Sequence, residues 1–185
     1  MNWKTSGLAM FANLVRKQDD QKALADKLIS ELVKYTGSNQ GGMFILNRDN
    51  KKDPYLELVS CYAYDRKKYL TRRIDPGDGL VGQCFLEGMV HHMTKIPKEY
   101  VTITSGLGNG TPTSLLIIPM KLNETTEGVL ELASFKKFAP HEIEFVEQVG
   151  EIIASAIFNS RVSERTSKML AELQQQSEEM RSQEE

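Results

Sequence analysis

Two cysteines and three histidines are the residues of this 185-residue sequence best suited to chemistry near neutral pH. Cys61 falls in an expected strand and Cys84 in an expected short helix, so the pair matches neither a disulfide framework nor a zinc-binding pattern. His91 and His92 are consecutive on an expected strand and point to opposite faces, which hinders joint binding of one metal. His141 lies in the first turn of an expected helix. The sequence therefore predicts no metal site and no catalytic nucleophile–base–acid set.

Two glycine-rich segments imitate phosphate-binding loops. Residues 77–82 fit the G-x-G-x-x-G spacing, but the expected helix lasts only about six residues before Gly88, and a dinucleotide-binding crossover needs about ten or more. Residues 105–111 are followed by neither a helix nor a Lys-Ser/Thr pair. We interpret the first as a turn into a short helix. The second is interpreted as a loop beside a pocket, with a ligand lid as the alternative.

Charge is spread in a way that favours no nucleic acid or lipid partner. The net charge is −2, and the one basic cluster, at residues 66–73, is interpreted as a solvated loop or a guarded sheet edge. An acidic partner for that cluster is the alternative. The sequence has no apolar run near the ~20 residues that span a bilayer and no signal-peptide pattern at its start. We expect a cytoplasmic protein without direct membrane insertion.

The elements that must position these residues follow from periodicity and turn chemistry. Helical stripes are expected at residues 3–16 and 24–36, the second with Asp19 or Asp20 as N-cap and Gly37 as its stop. Apolar runs predict two antiparallel hairpins and one short strand between them. Residues 97–112 are expected to be irregular. The order of elements predicts an α+β fold with a mainly antiparallel sheet. The strands are expected at residues 43–47, 55–64, 89–94, 114–122 and 127–135.

The last element is the most informative. Residues 141–185 contain no proline and a single glycine, Gly150, and Pro140 stands where a helix would begin. One helix over this stretch would be about 65 Å long, whereas the preceding domain would be about 40 Å across. We therefore expect a projecting helix that pairs with its twin in a homodimer. A heptad seam with four polar positions supports a weak coiled coil: Phe145, Val149, Ile152, Ala156, Asn159, Ser163, Thr166, Leu170, Leu173, Ser177 and Met180.

In residues 20–160 the sequence resembles a GAF domain, a small-molecule sensory module related to PAS domains. The resemblance rests on the helix-to-strand passage at residues 35–46, the glycine-led short helix at 77–84, and the strands at 114–120 and 128–134 that lead into the terminal helix. The loop at 105–108 and the helical tail resemble GAF units of bacterial sensor histidine kinases. No kinase motif is present in the sequence. Three segments are expected: an N-terminal linker helix (1–18), a GAF-like sensory domain (19–160) and a truncated coiled-coil signalling helix (161–185).

The resemblance implies a six-stranded antiparallel sheet with a helix bundle on one face. A short helix and a glycine loop would roof the other face over a ligand pocket. The cysteine contexts do not match bilin attachment, and the cyclic-nucleotide residue set is not found, so neither ligand has support and the cofactor stays unknown. The ligand-binding residues expected from topology and polarity are Tyr62, Cys84, Thr104, Ser105, Asn109 and Thr113.

Three functions remain open at this point. The leading one is a non-catalytic sensory and dimerisation module that passes a small-molecule or conformational signal through its terminal helices. The receiver would be an effector of the same parent chain, such as a histidine kinase. The alternatives are a small GAF-type cysteine-dependent reductase and a structural spacer that dimerises without a ligand.

Overall fold

The computed structural model describes residues 2–17, 20–63, 73–97, 103–105 and 108–184, with only the backbone of residues 103–105, 108 and 109. Within these ranges, three helices precede or interrupt the sheet and a fourth follows it. Their bounds are α1 Trp3–Lys17, α2 Gln21–Thr36, α3 Gly79–Glu87 and α4 Pro140–Glu184. No helix of the described ranges combines the length and apolar character needed to cross a membrane.

The strands of the described ranges are β1 Gln40–Asn47, β2 Tyr55–Tyr62, β3 Arg73–Ile74, β4 His91–Met93, β5 Ile103–Ser105, β6 Gly108–Gly110, β7 Ser114–Leu122 and β8 Thr125–Ser134. Six of them form one antiparallel sheet in the order β3-β2-β1-β8-β7-β4, and β5 and β6 form a small separate hairpin. The long hairpin of β7 and β8 lies near the centre of the sheet, where both faces are covered. This arrangement confirms the predicted α+β fold with six antiparallel strands.

The sheet separates two apolar cores. On one face α1, α2 and the first half of α4 bury side chains such as Phe11, Leu32 and Phe145 against β1, β7 and β8. On the opposite face α3 buries Val81 and Cys84 against alternate residues of the same strands. Alternation along each strand explains the division, because successive side chains point to opposite faces.

Local signals set the helix ends as expected. The Asp20 carboxylate accepts a hydrogen bond from the Lys22 amide, and Gly37 ends α2 in a left-handed conformation with φ 68°. Gly88 ends α3 in the same way, with φ 65°. The terminal helix begins at Pro140 and runs for 45 residues without a break, which confirms the predicted continuous helix.

Two segments differ from their predictions. Strand β1 begins at Gln40, before the apolar run, because Gly41 lets α2 approach the strand: a Cβ there would lie 2.8 Å from Val33 Cγ2. The stretch expected to be irregular holds β5 and β6, which backbone pairing joins at Thr104 and Asn109. Glycines do not prevent such pairing, since the ladder uses only main-chain groups.

Candidate functional site

The glycine turn that imitates a nucleotide-binding loop leads into α3, the helix that covers one face of the sheet. Gly77 donates its amide hydrogen to the Gly82 carbonyl at 2.8 Å and has φ +90°. A Cβ on Gly82 would lie 2.5 Å from the backbone oxygen of Asp75. The spacing therefore serves close packing of the turn against its own helix, as the sequence indicated.

Cys84 belongs to α3 and is fully buried between that helix and the sheet. Its Sγ donates to the Met89 carbonyl at 3.3 Å, and its neighbours are apolar side chains of the sheet. Burial, with a smaller contribution from the charge of Glu87, raises the pKa of the Cys84 thiol to about 12. A thiol of this kind stays protonated at neutral pH and is a poor nucleophile.

The residues expected to bind a ligand are spread over both sheet faces. Cys84 lies in the core beneath α3, whereas Tyr62 packs against the helix-side core. Thr104, Ser105 and Asn109 belong to the β5–β6 hairpin, and their side chains lie outside the described part. Thr113 is exposed, and its amide donates to the Ser134 carbonyl at the end of β8. A shared ligand for this set stays a prediction.

Of the basic cluster at residues 66–73, the structure describes only Arg73. Its guanidinium pairs with Asp53 and with Asp75, the latter at 2.9 Å, and lies over the Tyr55 ring. Arg73 is in β3, the edge strand of the sheet. Charged side chains on an edge strand are typical of sheets whose edge is protected from pairing with another chain. Residues 66–72 lie outside the described ranges.

The base of α4 is fixed by an aromatic cluster that joins three helices. Trp3 of α1 stacks on Tyr35 of α2 with ring centroids 4.9 Å apart, and its ring lies 4.7 Å from Phe145 of α4. The Tyr35 hydroxyl donates to the Trp3 carbonyl. Lys4 also forms an ion pair with Glu144 at 2.6 Å. The beginning of α1 is therefore joined to the first turns of α4 at this point.

A second anchor lies where α4 leaves the domain. Glu127, near the start of β8, is only 3% exposed, and its Oε2 accepts from Arg161 at 2.5 Å and from Arg48 at 3.3 Å. Arg161 also donates to the Leu46 carbonyl at the end of β1, at 2.6 Å. We call Arg48, Glu127 and Arg161 the helix-exit cluster. It ties one turn of α4 to two strands of the sheet.

Beyond this cluster α4 is exposed on every side. All its described residues from Val162 onward are exposed, and they include Leu170 at 57% and Leu173 at 59%. Phe145 and Val149, the first positions of the predicted seam, are instead fully buried in the domain's own core. Only from Ile152 onward do the residues of the predicted seam lie outside the domain's core.

A shallow trough lies between α1 and residues 148–159 of α4. Its volume is about 680 Å³, and its walls carry Leu8, Ala12 and Val15 on α1 and Ile152 and Ala156 on α4. Arg16 and Glu151 also line the trough, and neither forms an ion pair within the described part of the chain. We call this surface the terminal-helix trough.

The sequence profile of the GAF domain family matches residues 18–157. The chain therefore belongs to the GAF domain family, whose fold is a sensory and regulatory one. No curated protein sequence matches the chain.

Solved structures agree on the fold at low sequence identity. The GAF domain of a phosphoenolpyruvate-protein phosphotransferase from Coxiella burnetii gives a TM-score of 0.72 at 17% identity, covering 88% of this chain and 96% of that one. The A. aeolicus nlh2 GAF domain in an inactive state gives 0.63 at 16%, covering 86% and 97%. A free methionine-R-sulfoxide reductase from Neisseria meningitidis, in complex with its substrate, gives 0.65 at 18%, covering 84% and 89%. The neighbours thus include both signalling domains and enzymes.

The helix-exit cluster was not predicted from the sequence. Its members are separated by 79 positions between Arg48 and Glu127 and by 34 between Glu127 and Arg161. One signal was present, namely a glutamate near the start of a central strand that is covered on both faces. A buried carboxylate needs a cationic partner, but the sequence does not indicate which arginine supplies it.

Proposed function

We propose that this GAF domain is a non-catalytic sensory and dimerisation module that passes a signal along its terminal helices to an effector of the same parent chain. A histidine kinase is the kind of effector that the sequence resemblance favours. One observation carries the proposal. The helix α4 is anchored to the domain as far as Arg161 and then continues, exposed, to Glu184.

The proposed homodimer pairs the exposed part of α4 and the terminal-helix trough with those of a second copy. An isolated, mostly polar helix of this length is marginal in water, so a partner helix would stabilise it. Arg16 and Glu151 carry opposite charges on the trough and could pair across a two-fold axis, on which the same patch serves both subunits. Polar seam positions such as Ser163 and Thr166 would keep the pairing weak and responsive.

The small-molecule ligand is proposed to bind near the β5–β6 hairpin and the adjoining end of β8. Gly110 of β6 lies against Phe135, since a Cβ there would be 3.0 Å from the ring, and Thr113 is bonded to Ser134. Ligand contact there could shift the hairpin relative to β8, which packs on α4. Such a shift requires the ligand to bind two states with different affinities.

Sedimentation velocity at micromolar concentration tests the dimer. We expect the wild-type chain to sediment as a dimer and a Leu170→Glu/Leu173→Glu double variant as a monomer. The matched control is Ala171→Glu/Gln175→Glu, which adds the same two charges on the far side of the helix and should stay dimeric. A strictly monomeric wild-type chain would remove the basis of the proposal.

A cysteine-dependent reductase is the second candidate, and the fold shared with the Neisseria enzyme is the observation that favours it. The buried, protonated Cys84 argues against it. Incubation with free methionine-R-sulfoxide and a thiol reductant, followed by measurement of methionine, separates the two functions. We expect no turnover. Turnover abolished by Cys84→Ser would favour the enzyme.

A further inference from the structure

A groove opens beside the helix-exit cluster, between the tip of the β7–β8 hairpin and the first exposed turns of α4. Its volume is about 570 Å³, within the range of about 300–1,000 Å³ typical of small-molecule sites. We call it the exit groove. It lies apart from the β5–β6 hairpin and from the terminal-helix trough.

The exit groove carries an excess of positive charge. Arg48, Arg161 and Arg165 line it together with one acidic residue, Glu127. Glu127 neutralises one of the three guanidinium charges. Arg165 forms no ion pair with any residue of the described ranges. An anion that enters the groove therefore finds a field of its opposite sign.

Two of these arginines are held in place before any ligand arrives. The buried Glu127 carboxylate fixes Arg48 and Arg161, and their side chains are still 46% and 32% exposed. A guanidinium has five N–H donors in a rigid fork, so each arginine keeps donors that can reach a ligand. Arginine forks match the geometry of carboxylate and phosphate oxygens.

The remaining walls are apolar or weakly polar. Leu122 on the hairpin and Phe158, Val162 and Met169 on α4 offer hydrocarbon surface next to the guanidinium groups. Thr125 adds a hydroxyl. A purely inorganic anion would leave the apolar walls uncovered, and a neutral hydrocarbon would leave the arginines without a partner.

We propose that the exit groove binds a small amphipathic anion, an oxyanion head (carboxylate or phosphate monoester) carried on a short apolar body. The head contacts Arg48, Arg161 and Arg165, and the body lies against Phe158 and the other apolar residues. Such a ligand bridges the sheet hairpin and the departing helix, and so holds the direction in which α4 leaves the domain.

The proposed site does not depend on the dimer. Val162 and Met169 of the groove precede Ser163 and Leu170 of the predicted seam by one residue each, which is about 100° around a helix. Thr166 alone belongs to both faces. Pairing of two seams would cover Thr166 and border Val162 and Met169. Phe158, Arg161 and Arg165 lie on the side of α4 turned away from the seam, so the arginine side of the groove stays open.

Titration of the full chain with hexanoate, followed by ¹H–¹⁵N NMR, tests the proposal, with hexyl phosphate and hexan-1-ol as parallel arms. We expect saturable shifts confined to Arg48 and to residues 122–127 and 158–169 with hexanoate or hexyl phosphate, and much weaker binding of the neutral alcohol. The tighter of the two anions identifies the head group. Arg165→Gln should weaken that anion about tenfold, as expected for one charge-assisted hydrogen bond.

Lys168→Gln is the matched control, because it removes the same charge from the same exposed helix outside the groove. It should leave the affinity unchanged. The proposal is overturned if the shifts fall on the terminal-helix trough, if the alcohol binds as tightly as the anions, or if both variants weaken binding equally. Absence of saturation up to about 10 mM, which is about ten times the dissociation constant of a millimolar site, also overturns it.

Discussion

Replacing Arg161 with alanine is the most direct perturbation of the point where α4 leaves the domain. The change removes the 2.5 Å ion pair with Glu127 and the 2.6 Å hydrogen bond to the Leu46 carbonyl. Glu127 remains buried, with Arg48 on the same oxygen at 3.3 Å. The helix propensity of this segment should not fall, because alanine is the best helix former.

The size of the effect follows from these contacts. Removing one partner of a fully buried ion pair costs about 3–5 kcal/mol. Arg161 is one-third exposed and Arg48 stays in place, so about 1–2 kcal/mol is expected for the ion pair after allowance for solvent screening. The lost bond to Leu46 adds about 1 kcal/mol. The free energy of unfolding should therefore fall by about 2–3 kcal/mol.

Urea unfolding at a fixed protein concentration measures this loss. With a slope of about 2 kcal/mol per molar urea, the midpoint should fall by about 1–1.5 M. Arg165→Ala, one turn further along, removes an arginine that has no ion pair among the described residues, and should change the free energy by less than about 0.5 kcal/mol. Amide hydrogen exchange at residues 158–165 should rise in Arg161→Ala alone. Equal losses in the two variants would refute the anchoring role of Arg161.

Three further predictions follow from features of the core. The pKa of Cys84 is raised to about 12 from an ordinary value of 9.0. The stability that comes from keeping this thiol protonated is therefore full below pH 9 and is lost as the pH rises from 9 to 12. Urea unfolding across this pH range should show the loss in the wild type and not in Cys84→Ala. Gly82→Ala places a Cβ 2.5 Å from the Asp75 carbonyl oxygen and should cost about 1–3 kcal/mol, measured by the same method. Trp3→Ala removes the ring that stacks on Tyr35 and packs against Phe145 and should cost about 2 kcal/mol, less than for a fully buried tryptophan, with a lower thermal midpoint by calorimetry.

The helices and the central strands could be predicted because their signals are local. The uninterrupted run of helix formers after Pro140 has no competing interpretation, and Gly37 and Gly88 stop their helices through backbone conformation alone. The consecutive apolar residues 115–118 of β7 predicted a strand covered on both faces. In each case the residues that decide the structure are neighbours in sequence.

The helix-exit cluster and the positions of the proposed ligand residues could not be predicted in the same way. Arg161 meets the Leu46 carbonyl across 115 positions, and no periodicity connects them. Tyr62 was expected beside the ligand, yet its register opposite Gly41 and the bulge in β2 place it against the helix-side core. A single extra residue in a strand reverses the face of every side chain that follows.

In the proposed dimer, where a partner helix would stabilise it, the part of α4 beyond the helix-exit cluster (residues 162–184) would act as a lever arm about 34 Å long. A tilt of about 5° at its fulcrum displaces the far end by about 3 Å. Because the fulcrum is one buried carboxylate shared by two arginines, a sub-ångström adjustment there is magnified severalfold at the tip. Small rearrangements in the sheet can thus become displacements comparable to a side chain's width.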